Sequence, residues 1–386
     1  MHCDYYVAGV CRSCTLIELP HPTQVHRKTV DCHEQLATVL SPAALDGISW
    51  LDPVVGPERG FRTKAKMVVG GTTASPTLGI LGSTGTGVDL EQCGLYPPEL
   101  SVAFAPVKEF ISRARLIPYD VPGRSGELKT VVFTAAPSGE LMIRFVMRST
   151  EALARMRKHL PVLMARLPQL TVASINVLAE HRAVLEGERE ILLTDRESLT
   201  MTVNGIDLRL RPQSFFQTNT DVAAALYGQV REWVADAAPT SVWDLYCGVG
   251  GFSLHVLAEG RDVVGVELSE QAIDSARATA SSLVARGVPG AEGASFVAAD
   301  ATQWAASQLA PPELVIVNPP RRGIGDELAI WLEKSGVPTV IYSSCNSRSL
   351  ARDLAAMPSL VPVEARVLDM FPHTEHYEVA VLLKRA

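Results

Sequence analysis

Apolar residues in the second half of the chain fall into short blocks separated by stretches in which they recur every three or four positions. The blocks are Ser241–Leu245, Val263–Glu267, Ser295–Ala299, Leu314–Val317 and Thr339–Tyr342, and Glu270–Ala285 shows the helical spacing between them. Such blocks read as strands buried on both faces. Their alternation with helical segments predicts a parallel, doubly wound α/β sheet. Two last strands, near Ala365–Leu368 and Glu378–Leu383, are joined by a short loop and should pair antiparallel.

The first half has a different pattern. Its opening residues are rich in Gly, Pro and Thr and poor in helical periodicity. Lys66–Val69 and Leu78–Leu81 read as short strands with GGTTASP between them as a hairpin-type connection. Residues 101–117 and 151–167 read as amphipathic helices, and Thr130–Ala135, Leu141–Met147, Ser174–Leu178 and Ala183–Leu185 as strands. That is an α+β arrangement with no internal repeat. A boundary is expected near 205–212, dividing the chain into an α+β domain over 1–205 and a Rossmann-like domain over 206–386.

Composition narrows the class. Hydrophobic residues at 47% and charged residues at 20% suit a globular protein with two cores, and no apolar run reaches membrane-spanning length. The N-terminal MHCDYYVAGVCRSC lacks a basic stretch followed by an apolar core, so a cytoplasmic location is expected. Net charge is −7, yet residues 1–205 hold 21 Lys+Arg against 21 Asp+Glu, and 206–386 hold 14 against 21. The neutral first half carries basic clusters at Arg59, Arg62, Lys64 and Lys66, at Arg113, Arg115, Arg124 and Lys129, and at Arg155, Arg157 and Lys158. Local patches decide phosphate binding, although each cluster alone reads as a solvated face. The seven cysteines, at 3, 11, 14, 32, 93, 247 and 345, argue for metal binding or catalysis over a disulfide framework.

The ends of the parallel strands carry the chemistry. DLYCGVGGFS (Asp244–Ser253) follows the first strand, where Gly248, Gly250 and Gly251 allow close approach of a ligand to free helix-N-terminal N–H groups. Glu267, 23 positions after Asp244, ends the second strand and suits the ribose hydroxyls of an adenosine-type cofactor. A glycine turn alone is a weak signal, shared with dinucleotide enzymes and with simple tight packing. Asp300, ending the third strand, and the rigid VNPPRRG loop (Val317–Gly323), ending the fourth, favour S-adenosylmethionine.

Cys345 in YSSCN follows the fifth strand on the same carboxyl edge, and Glu378 in HTEHYE is brought back by the final hairpin. A free cysteine is more often an inert buried residue, but this position beside a cofactor site favours a nucleophile. The pair suits thiolate addition to C6 of a uracil ring, which makes C5 nucleophilic toward a methyl sulfonium. A base then removes the C5 proton. His373 and His376 are read as orienting or structural groups.

RPQSFFQTN (Arg211–Asn219), DLYCGVGGF, VNPPRRGIG, YSSCN and DMFPHTEHYE (Asp369–Glu378) together resemble the motif series of the RNA uracil-5 methyltransferases, over nearly the whole chain. HCDYYVAGVCRSC and FRTKAKMVV (Phe61–Val69) resemble the branch that acts on uridine 747 of 23S ribosomal RNA. The resemblance implies Cys345 as nucleophile, Glu378 as base, and Gln217, Tyr246, Glu267 and Asn318 as holders of S-adenosylmethionine, with Gly248 and Asp300 beside them. It also implies a [4Fe–4S] cluster on Cys3, Cys11, Cys14 and Cys93. The C-x7-C-x2-C spacing with a distant fourth cysteine would equally suit zinc. Cys32 and Cys247 are left as structural, and Gly94 stands where the family often has proline.

The expected partner is 23S ribosomal RNA, with no membrane, and the expected state is a monomer. Another 23S or tRNA uridine, or a non-catalytic RNA-binding iron–sulfur protein, are the alternative readings. The tRNA enzymes of this fold lack the cysteine set, and the other 23S branch carries an N-terminal β-barrel.

Overall fold

The computed structural model describes residues 1–82, 85–181 and 186–386. The strand expected at Ala183–Leu185 lies outside these. In chain order the elements begin with α1 (Asp4–Val7), α2 (His21–Ala37), α3 (Pro42–Asp46), β1 (Ser49–Val54), β2 (Lys64–Gly71), β3 (Pro76–Leu81) and β4 (Gly87–Asp89). They continue with α4 (Pro98–Ser101), α5 (Phe104–Arg113), β5 (Leu128–Ala135), β6 (Leu141–Met147), α6 (Leu153–Arg166), β7 (Leu170–Val177) and β8 (Arg189–Leu192). Next come β9 (Leu199–Val203), β10 (Ile206–Leu210), α7 (Thr220–Ala237), β11 (Ser241–Leu245), α8 (Gly251–His255), β12 (Asp262–Glu267), α9 (Glu270–Ala285) and β13 (Ala294–Ala298). The last are α10 (Ala301–Ser307), β14 (Leu314–Val317), α11 (Gly325–Ser335), β15 (Thr339–Ser344), α12 (Ser347–Ala355), β16 (Leu360–Leu368) and β17 (Glu378–Arg385).

Two compact units result. One comprises Met1–Ile17 and Pro57–Thr202, the other Glu18–Gly56 and Val203–Ala386. The first unit is built on a seven-stranded sheet in the order β4-β3-β2-β5-β6-β7-β8. Neighbours run antiparallel except β6 and β7, which α6 connects in parallel. Period-2 alternation sends Ala65, Met67, Val131, Phe133, Ile143 and Phe145 to one face, where they pack with Phe104, Val107 and Phe110 of α5 and Met156 and Leu160 of α6.

The second unit is built on an eight-stranded sheet, β1-β16-β17-β15-β14-β11-β12-β13. β13 to β15 are parallel, β17 inserts antiparallel between β15 and β16, and β1 adds a parallel edge beside β16. All four residues of β14 are buried, as a central strand covered on both faces requires. From β11 the chain steps outward to β12 and β13, then returns to β14 on the other side. The switch point is therefore between β11 and β14, where such sheets bind ligands at their carboxyl edge.

Helix α2 was not signalled by the sequence pattern, and the reason is physical. Its buried positions are Gln24, Val25, Lys28, Cys32 and Leu36, a face with helical spacing but two polar members. A hydrophobic periodicity search sees only part of that stripe. The polar members are satisfied within the same unit. Lys28 Nζ donates to Asp369 Oδ1 at 2.5 Å and to Phe371 O at 3.0 Å, and the Lys28 and Asp369 side chains are 1% and 0% exposed. Among the described residues, no helix is long and apolar enough to cross a membrane.

Candidate active site

A cavity of about 580 Å³ opens at the switch point of the second unit. Gln217, Tyr246, Gly248, Glu267, Asp300, Asn318, Cys345 and Glu378 all line it. The eight residues come from seven separate segments, and the carboxyl edge of the sheet brings them together.

The turn after β11 forms the floor. Gly248 has φ 55°, and a Cβ there would meet nothing within 4 Å, so its Cα borders open space. Gly251 is held differently, since a Cβ would lie 2.6 Å from the Tyr227 hydroxyl oxygen. Tyr246 keeps a left-handed backbone (φ 67°) despite its side chain, a strain that recurs at ligand-binding turns. Behind the turn, buried Asp244 accepts hydrogen bonds from Ser253 N (2.8 Å) and Ser253 Oγ (2.6 Å), locking β11 to α8. Burial raises its carboxyl pKa to about 7, against those two bonds.

Glu267 ends β12 and accepts from Gly248 N (3.3 Å) and Ser269 N (3.0 Å), which fixes its carboxylate at the cavity wall. Asp300 has two positions to satisfy. Its Oδ1 caps α10, accepting from Thr302 N and Gln303 N at 3.0 Å each, while the residue also faces the cavity. Asn318 follows β14, anchored by its N–H to Leu245 O at 3.3 Å.

Cys345 lies between the end of β15 and α12. Asn346 caps α12 through Arg348 N (3.2 Å) and donates from Nδ2 to Arg321 O (2.9 Å), tying the cysteine loop to the Asn-Pro-Pro loop. Burial pushes the Cys345 thiol pKa up and the nearby Glu378 adds to this, while the charge and hydrogen bond of Arg321 pull it down. Glu378 opens β17 and is 1% exposed. Ser343 Oγ donates to its Oε1 at 2.7 Å. Burial outweighs that bond and raises the carboxyl pKa to about 7.

Arg321 is a site residue to which the sequence reading gave no role, although its RR pair was visible in VNPPRRG. Phe215 and Phe371 also line the cavity. Phe215 is 69% exposed, which places it at the mouth. His373 is buried with φ 66° and donates its N–H to Gln24 Oε1 at 2.8 Å. Cys247 is buried in the cavity wall with its thiol pKa raised by burial, as suits a structural residue.

In the first unit, Cys14 and the partly buried Cys3 and Cys93 pack with Met1, Tyr6, Ile17, Phe61 and Leu95. The Cys14 thiol is pushed up to about 12 by burial and then by nearby Cys93, Cys11 and Cys3. Among the described residues, however, no group of His, Cys, Asp or Glu is drawn in tightly enough to hold a metal ion. The basic clusters divide. Lys66 is exposed, whereas Lys64 is partly buried and its pKa falls to about 8, through burial and then Lys66. Arg155 is paired with Glu151 at 2.5 Å and Lys129 donates to Glu180 O at 2.6 Å.

Comparison with known proteins shows the family and the fold. The family model for tRNA (uracil-5-)-methyltransferase matches residues 129–285 and 310–386. The chain is 47% identical over 386 residues to a Cronobacter sakazakii protein, with 100% of each chain covered, and 47% identical over 391 residues to one from Halothiobacillus neapolitanus, again with 100% of each. Both relatives are named 23S rRNA (uracil(747)-C(5))-methyltransferase RlmC. Among solved structures, the Pyrococcus abyssi tRNA (uracil-54, C5)-methyltransferase bound to S-adenosyl-L-homocysteine has the same fold. Its TM-score is 0.75 at 24% identity, covering 97% of this chain and 86% of that one. With a matching family model over more than half its length and full-length relatives at this identity, the chain belongs to the tRNA (uracil-5-)-methyltransferase family.

Proposed function

We propose that the protein transfers a methyl group from S-adenosylmethionine to C5 of a uridine in 23S ribosomal RNA, at uridine 747, the position in its relatives' names. The observation that carries this reading is the single cavity in which Cys345 and Glu378 meet the glycine turn, Glu267, Asp300 and Asn318. Thiol, carboxyl and cofactor loops are the complement that C5 methylation needs.

In this reading Glu267 takes the ribose hydroxyls, Asp300 the adenine side, and Gln217, Tyr246 and Gly248 the rest of the methyl donor. Asn318 and the proline pair face the methyl group and the extruded base. Arg321 favours the thiolate of Cys345, whose electron pair forms a bond to C6 while the C5–C6 π electrons move onto O4. C5 then attacks the methyl carbon, and S-adenosylhomocysteine leaves. Glu378 takes the C5 proton, the C5–C6 double bond re-forms, and the S–C6 bond breaks to return the thiolate. A carboxyl poised at about 7 suits a base working near neutrality.

The donor set of Cys3, Cys11, Cys14 and Cys93 fits a [4Fe–4S] cluster. Cys3, Cys14 and Cys93 share one apolar cluster with Cys11 near Cys14, although the described residues are not drawn in around a metal ion. A bound cluster would supply a cross-link between the N-terminal segment and the Cys93 loop. Methyl transfer moves no net electrons, so its role is structural. We assign RNA binding to the first unit, through exposed basic residues such as Lys66, and a cytoplasmic place of action. Mass mapping of 5-methyluridine in 23S ribosomal RNA, with the gene present and deleted, tests the assignment. Loss of a methyl mark at uridine 747 is expected, and an unchanged map overturns it.

A further inference from the structure

One side chain from a helix remote in sequence from both, Asp31 of α2, joins the segments that carry the thiol and the carboxyl. Tyr377 immediately precedes Glu378, and Ser347 lies two residues after Cys345 at the start of α12. Tyr377 OH lies 2.7 Å from Asp31 Oδ2 of α2 and 2.7 Å from Ser347 Oγ. Ser347 Oγ is also 3.5 Å from the same Asp31 oxygen. A phenol has one proton, and the carboxylate accepts it, so the serine hydroxyl donates to the phenol oxygen. Tyr377 and Ser347 are each 5% exposed, so water does not readily replace these bonds. None of the three lines the cavity.

α2 holds the same loop at two further points. Lys28 and His21 both reach Asp369, with His21 Nε2 2.6 Å from Oδ2, and Gln24 Oε1 accepts from His373 N. The register of β15 with β17 sets the coarse spacing of thiol and carboxyl, pairing Ser344 with Val379. β16 pairs Leu368 with Glu378, whereas Cys345 lies just past Ser344, the last paired residue of β15, and Asp31 joins the chain on the far side of both.

We propose that Asp31, acting through Tyr377 and Ser347, is a positioning residue that fixes the relative placement of Cys345 and Glu378. The inference rests on the methyl-transfer reading above. Misplacing a reacting group by about 1 Å costs on the order of 100-fold in rate, so partial loosening here should be visible in kcat.

The experiment measures single-site methyl transfer to a uridine-containing 23S fragment by the full chain and by Asp31→Ala, Asp31→Asn and Tyr377→Phe. Affinity for S-adenosylmethionine and the melting temperature are measured alongside. Asp31→Ala and Tyr377→Phe are expected to lower kcat at least about 10-fold with KM for RNA and affinity for the methyl donor unchanged. Asp31→Asn keeps an acceptor for the phenol and is expected to recover most of that loss. Unchanged kcat in Tyr377→Phe, which deletes one oxygen and is expected to fold, overturns the inference. So does a loss that Asp31→Asn shares in full, or one that tracks melting temperature and cofactor affinity. A wild-type chain that methylates no uridine would instead overturn the proposed function.

Discussion

Replacing Glu378 by Gln should make the second unit more stable as pH rises, relative to the native chain. Glu378 is buried and its carboxyl pKa is raised from 4.5 to about 7 by desolvation. Between those values the folded chain keeps a proton that the unfolded chain releases, so native stability falls with increasing pH. The full penalty is roughly 3 kcal/mol above pH 7, and most of it develops between pH 5 and pH 8. Glu378→Gln carries no such titration, while the raised pKa of Asp244 acts in both proteins and cancels. Any fixed cost of the carboxamide also cancels when the two pH values are compared. All five tryptophans, at 50, 233, 243, 304 and 331, belong to the second unit, so fluorescence-monitored urea unfolding reads that unit selectively. The variant should gain roughly 2 to 3 kcal/mol on the native chain between pH 5 and pH 8. A gap that stays constant within about 0.5 kcal/mol would show that Glu378 is not held near 7 by burial.

Methyl transfer should rise with pH through an apparent pKa of about 7, because the proposed base acts ionised; a flat profile from pH 6 to 8 with chemistry rate-limiting would rule this out. Cys345→Ala should abolish turnover while keeping S-adenosylmethionine affinity, and Glu378→Gln should accumulate a denaturant-resistant RNA adduct. Turnover in the first variant, or no adduct in the second, would sink the covalent route. Anaerobically purified protein should be brown with about four irons per chain, and a colourless protein holding one zinc would decide for the tetrahedral alternative. Lys66→Gln should reduce the slope of log binding constant against log salt by about 1, and an unchanged slope would place the phosphate contact elsewhere.

Legibility followed the origin of each signal. β11 and β14 came out of the sequence with their observed ends because they are short apolar runs bounded by turn residues. α9 was equally clear, with Ser269 capping it and a regular apolar stripe behind. Glu267, Asp300, Asn318 and Cys345 were readable because each stands at or just past the end of such a strand, whereas Gln217 was implied only by the family resemblance. α2 and β1 were not. α2 buries Gln24 and Lys28, whose partners His373 and Asp369 are more than 340 residues away, so its inward face looks polar until those partners are in place. Arg321 was visible as a charge, but its effect on Cys345 depends on the loop geometry after β14.

The sequence by itself determined the parallel sheet, the carboxyl edge and the residue types on it, because strand period and turn chemistry are local. Tertiary structure decided which strands became neighbours across the switch point, and so gathered eight residues from seven segments around one cavity. It also decided the electrostatics. A glutamate with an ordinary carboxyl becomes one poised at about 7 when the sheet closes over it and the Ser343 hydroxyl donates to it. Desolvation is a property of everything packed around a group, and no local stretch of sequence contains it.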